Sequence, residues 1–148
     1  MRCVFNILIL MSCFTLFACS NVSAESITFG NVQIKVKGNA YKLEYADTFE
    51  RRAKGLMNRN VLCDTCGMLF KFDSAKVAGF WMKDTLIPLD IAFVRSDGTI
   101  TDIKNMRALD LKSTTSSEAV LYAWEMNKGW FAANNIKVGD NVAICSVY

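Results

Sequence analysis

The sequence predicts a mainly β domain with one short helix, and three observations carry that prediction. Apolar and polar residues alternate over Val32-Ile34-Val36, Met68-Phe70-Phe72 and Val120-Tyr122-Trp124-Met126, the period-2 pattern of strands with one buried face. Turn residues separate these runs at Gly38-Asn39, Ser96-Asp97-Gly98 and Gly139-Asp140. Helical spacing appears in one short segment near residues 48–58.

Taken in order, Val32, Ile34 and Val36 are followed by Gly38-Asn39 and then by Tyr41, Leu43 and Tyr45, which predicts a hairpin with a two-residue Gly-Asn turn. Asp47 can cap the helix, with Glu50 three residues on as in a capping box, and Phe49, Ala53, Leu56 and Met57 fall on one face. Gly55 is a poor interior helix residue, so its presence points to close backbone packing against a strand. Cys63-Asp64-Thr65-Cys66-Gly67 reads as a loop, and Met68, Phe70 and Phe72 then oppose Leu69 and Lys71 on a strand. Ser96-Asp97-Gly98 links the strand of the central stretch to Thr99–Ile103 as a second hairpin. Residues 105–117 show no period and read as a long surface loop. In the next strand Glu125 shares a face with Leu121 and Ala123. Gly129–Asn134 suits a short helical turn, and Val142–Val147 the last strand.

At 148 residues the chain allows a single domain, and its composition, 52% apolar and 21% charged with one Pro, is globular. Residues 1–24 read as an export signal: Arg2, an apolar run from Val4 to Ala18, and a polar tail from Cys19 to Ala24. The run holds fifteen residues, short of the roughly 20 a spanning helix needs, which argues against a permanent transmembrane span. Val22-Ser23-Ala24 fits a signal-peptidase site, while Leu16-Phe17-Ala18-Cys19 resembles a lipobox in which Cys19 would carry a lipid anchor. The bulk of Phe17 favours cleavage after Ala24. The expected mature domain, 25–148, belongs in the periplasm or cell envelope of a bacterium and is large enough for a core without disulfides. Losing Arg2 leaves 16 basic against 14 acidic residues, interspersed, which is no nucleic-acid footprint.

The stretch that concentrates chemistry is Phe80-Trp81-Met82-Lys83-Asp84-Thr85-Leu86-Ile87-Pro88-Leu89-Asp90-Ile91-Ala92-Phe93. Alternation puts Ile87, Leu89, Ile91 and Phe93 on one face and Asp90, Ala92 and Val94 on the other. A carboxylate on an apolar face needs a compensating partner, and Lys83 is one candidate. The stretch resembles the signature of the domain-of-unknown-function 192 family. The resemblance extends through Ala46-Asp47-Thr48, Glu50-Arg51, Gly55-Leu56-Met57, Gly67-Met68-Leu69-Phe70, Asp97-Gly98, Glu125, Asn127, Gly129 and Gly139-Asp140, in the family's order. It implies a compact β-sandwich or barrel-like domain, commonly exported or membrane-linked, and implies no reaction. Asp84, where the family commonly has Asn, and the pair Cys63 and Cys66 depart from its pattern.

Cys63-x-x-Cys66 has the spacing of a local disulfide, a redox dithiol or half a zinc site. An exported protein favours the disulfide, and the absence of His leaves only Cys145 and carboxylates to complete a metal site. Met57, Met68, Met82, Met106 and Met126 are soft donors that would suit Cu(I), and equally are core filler. Asp90 and Glu125 could form an acid/base pair of a hydrolase-type enzyme if their strands converge, or could each satisfy backbone groups. Phe80, Trp81, Tyr122, Trp124 and Trp130 could wall a concave site or fill a core. The reading that follows is a non-enzymatic small-molecule or glycan binding module with no cofactor. Its site is expected at Trp81, Lys83, Asp84, Asp90 and Glu125. The alternatives are the acid/base enzyme and a structural or metal-binding protein; the oligomeric state stays open.

Overall fold

The computed structural model describes residues 26–148. The expected export signal over 1–24, with its candidate lipidation residue Cys19, lies outside the described residues. Among the described residues no helix is long and apolar enough to cross a membrane.

Strand β1 (Gly30–Val36) and β2 (Asn39–Ala46) form the predicted hairpin, with Val32, Ile34, Val36 and Leu43 buried. The turn is Lys37-Gly38, one residue earlier than expected, because both of these residues take the positive φ that a tight hairpin turn requires. Helix α1 (Phe49–Lys54) is shorter than the predicted segment. Its cap is Thr48, whose hydroxyl accepts from the Arg51 N–H, while Asp47 pairs instead with the Arg51 guanidinium at 2.7 Å. The helix buries none of its residues, and Phe49, expected inward, is 73% exposed. Gly55 ends the helix at φ +46°; a Cβ there would lie 3.4 Å from the Phe70 ring, the close packing against a strand that its position implied.

Strand β3 (Gly67–Lys76) runs parallel to β2, with α1 in the crossover. The two-residue β4 (Gly79–Phe80) pairs with β7 (Thr114–Thr115) in a small second sheet. Strands β5 (Leu89–Val94) and β6 (Ile100–Met106) form the second hairpin, β6 extending further than predicted. With β7 inside it as well, the segment read as one long loop is partly strand. Strand β8 (Val120–Asn127) lies between β5 and β3, and α2 (Trp130–Ala133) forms the short helical turn expected over Gly129–Asn134. β9 (Val142–Val147) ends the chain's main sheet.

The seven strands are ordered β6-β5-β8-β3-β2-β1-β9. The sheet curls so that its two edges meet at one end. There the Ile100 N–H donates to the Asp140 carbonyl at 2.9 Å, the Val142 N–H donates to the Gly98 carbonyl at 2.8 Å, and Thr99 bridges Asn141. Gly98, at φ +86°, permits this approach, since a Cβ would lie 2.4 Å from the Val142 oxygen. The fold is therefore mainly β and barrel-like.

Each face of the sheet carries its own core. The enclosed face gathers Val32, Ile34, Leu43, Tyr45, Leu69, Ala92, Val94, Ile100, Trp124 and Met126, with Trp130 and Phe131 of α2 packed on it. The outer face gathers Met68, Phe70, Phe72, Leu89, Ile91, Phe93 and Ala123 beneath Leu56, Leu62, Ala78 and Met82 from the connecting segments. The predicted alternation in β3, β5 and β8 is what supplies both sets.

A candidate ligand cleft on the outer face of the sheet

A cleft of about 240 Å³ opens on the outer face between α1 and the segment 79–85. Phe70 and Phe72 of β3 and Glu125 of β8 form its buried floor, together with Leu56 and Thr85. Phe80 forms part of the wall, with its ring edge-on to Phe70 at 5.0 Å. Trp81, 54% exposed, and Phe49 stand at the mouth, with Lys54 and Lys76 beside them. Arg52 is held in place: its guanidinium donates to the Asp47 carbonyl (2.7 Å) and the Lys71 carbonyl (2.8 Å) and pairs with Asp73.

Glu125 is the unusual group. It is 4% exposed, and no described residue hydrogen-bonds its carboxyl. Burial alone raises its pKa from 4.5 to about 8, so it carries a proton at neutral pH and can donate a hydrogen bond. Acids whose pKa burial raises this far concentrate at functional sites.

Asp90 is a different case. Strand pairing places Asp90 opposite Met126 and Ile91 opposite Glu125. Directly paired residues share a face, so the two carboxyls lie on opposite sides of the sheet and form no acid/base pair. Asp90 is 3% exposed and fully engaged: it accepts from the Asn105 amide and, at 2.7 Å, from the Gly129 N–H. Lys83 is not its partner. The Lys83 ammonium is exposed and sits 5.6 Å from the centre of the Trp81 ring. Asp84 adopts φ +53°, a conformation that Asn also tolerates, and its carbonyl accepts from the Asn58 N–H at 2.7 Å, tying this turn to the segment after α1.

Of the five residues expected to form the site, the cleft thus brings together Trp81 and Glu125. Lys83 reaches it only through the Trp81 ring, Asp84 shapes its backbone, and Asp90 stands behind the sheet. Trp124 and Trp130, offered as site aromatics, are core: they pack with Tyr41 and Phe131 at ring separations of 4.9 to 6.0 Å. Sequence reasoning missed Phe49, Lys54 and Lys76. Phe49 and Lys54 lie on a glycine-terminated helix and Lys76 at the far end of β3, a grouping legible only once α1 is known to lie over β3.

Cys63 and Cys66 form the expected disulfide. The Asn127 amide donates to the Leu62 and Cys63 carbonyls at 3.1 and 3.0 Å, so the loop is held by both. Because the closed loop is small, replacing both cysteines with Ser is expected to lower stability by about 2 kcal/mol or less, measured by urea unfolding. Met68 and Met126 lie on opposite faces of the sheet and cannot join one copper site. Among the described residues no cluster of three or more Cys, Asp or Glu converges as for a metal.

The fold and cleft define a class: a barrel-like β domain with one aromatic-walled cleft over a buried acid. The chain belongs to the domain-of-unknown-function 192 family, described as Uncharacterized ACR, whose model matches residues 32–144. It is similar to a crystal structure from Sinorhizobium meliloti described as a candidate transcription regulator. The identity is 30% and the TM-score 0.76, covering 80% of this chain and 97% of that one. It is also similar to a protein of unknown function from Novosphingobium aromaticivorans, at 35% identity and TM-score 0.69, covering 77% and 84%. No curated protein matches the chain.

Proposed function

We propose that this protein is an exported cell-envelope module that binds a small molecule, a glycan fragment among the candidates, in the outer-face cleft without turning it over. The observation that carries the reading is Glu125, a buried carboxyl with no hydrogen-bond partner among the described residues, at the floor of an aromatic-walled opening. A ligand that accepts its proton in a hydrogen bond would relieve the penalty of burying it. Trp81 and Phe49, exposed at the mouth, offer faces on which a sugar or aromatic ring can lie. At about 240 Å³ the cleft is below the size range of drug-sized sites, which favours a ligand of one or two rings. The export reading is supported by the apolar run Val4–Ala18 and by the Cys63–Cys66 disulfide, which suits an oxidising compartment.

The acid/base alternative keeps Glu125 alone, since a carboxyl with a pKa of about 8 is poised to act as a general acid. Among the described residues, those lining the cleft offer it no second carboxyl and no activated nucleophile, which favours binding over turnover. Thermal unfolding against glycans, peptidoglycan fragments, nucleotides, Zn²⁺ and Cu(I) tests the reading. A ligand at a hundred times its Kd adds about 2.7 kcal/mol, and that shift is expected from one organic class and lost in Trp81→Ala. A flat response to the organic ligands, or consumption of the ligand that binds, would contradict it.

A further inference from the structure

The charges around the cleft say more about what enters it. Lys54 lies in the last turn of α1 and Lys76 at the end of β3, its ammonium 4.7 Å from the centre of the Phe72 ring. Among the described residues neither lysine forms an ion pair, whereas Arg52 beside them is matched by Asp73. Among the described residues Glu125 is the one acidic residue lining the cleft. An amine entering would approach cations at the mouth and find an uncharged floor; an acid would meet complementary charge at the mouth and a hydrogen-bond donor below.

Resting on the reading of the cleft as a ligand site, we infer that its ligand is a small organic acid. Its ring lies against Trp81 and Phe80, its carboxylate is turned toward Lys54 and Lys76 at the mouth, and a neutral oxygen reaches Glu125. The arrangement is a division of labour: the lysines recognise charge in solvent, and the aromatic walls and Glu125 recognise shape and a hydrogen-bond acceptor where water is excluded. The lysines at an exposed mouth act chiefly on selectivity and encounter.

Calorimetric titration of the purified protein with two matched series tests this. One is 3-phenylpropionate, 3-phenylpropan-1-ol and 3-phenylpropylamine; the other is phenyl β-glucuronide and phenyl β-glucoside. In at least one series the acid is expected to bind about fivefold or more tighter than its neutral counterpart, the effect of two charge contacts at a solvent-open mouth. That preference should vanish in Lys54→Ala/Lys76→Ala and should shrink in the unmodified protein as NaCl rises. Equal affinities across both series, or a preference for the amine, would overturn the inference and leave the cleft reading standing. Failure of every compound to bind would overturn both.

Discussion

Replacing Glu125 with Gln makes stability less dependent on pH, and between pH 4.5 and 7 the variant gains roughly 3 kcal/mol relative to the native protein. The sign follows from proton counting. In the unfolded chain Glu125 ionises near 4.5, whereas in the folded protein burial holds the proton on until about pH 8. Between those values the folded state binds more protons than the unfolded state, so raising the pH favours unfolding. The penalty grows from pH 4.5 and levels off above 8. Glutamine keeps the shape without the titration, so its own pH-independent effect cancels when the difference between the two proteins is followed across pH. The charged groups lining the same cleft are Arg52 and Lys54 from α1 and Lys76 from β3, while the segment 79–85 contributes the uncharged Trp81 and Thr85. Urea unfolding at several pH values measures the effect. A difference that stays constant from pH 4.5 to 8 would mean that Glu125 finds a partner in solution.

Asp90→Ala has the opposite consequence. Here the carboxylate is satisfied, and its removal leaves the Asn105 amide and the Gly129 N–H without their acceptor inside the structure. Hydrogen bonds to a charged acceptor contribute about 1.5–3 kcal/mol each when one partner is lost, and because the two share a single carboxylate the expected loss is about 3 kcal/mol. Asp90→Asn should lose less, since the amide oxygen can still accept from Gly129 while Asn105 turns its own oxygen toward the new NH₂. Neither change should alter ligand affinity in the cleft, because Asp90 faces the enclosed side of the sheet. Loss of binding in a folded Asp90→Asn protein would contradict that placement. Chemical denaturation with parallel calorimetry reads both quantities.

The contrast between the two carboxylates marks how far the sequence could be read. Alternation along β5 and β8 was enough to put Asp90 and Glu125 each on an apolar face, because strand side chains have a period of two whatever the strand pairs with. Whether those faces coincide depends on the register between β5 and β8, which are joined only through the intervening β6 and β7. No local signal encodes that register, and it comes out with Glu125 beside Ile91. The cleft was illegible for the same reason. Its walls come from α1, β3, β8 and the segment 79–85, and Phe49 looked like a core residue because helical spacing gives a face without saying what covers it. Features determined locally were readable: the Cys63–Cys66 disulfide, the close approach at Gly55, and the hairpins, one of them misplaced by a residue because Lys37 takes the left-handed conformation in place of Asn39.

In the proposed site Glu125 is protonated and open to a ligand at neutral pH. The most direct test is to follow the Glu125 side-chain carboxyl carbon by NMR in uniformly ¹³C-labelled protein, assigned by comparison with Glu125→Gln, while the pH is raised from 4 to 10. A midpoint near 8 is expected in the free protein, with the resonance moving when a cleft ligand is added. A midpoint near 4.5, or a resonance indifferent to every ligand that binds, would contradict it.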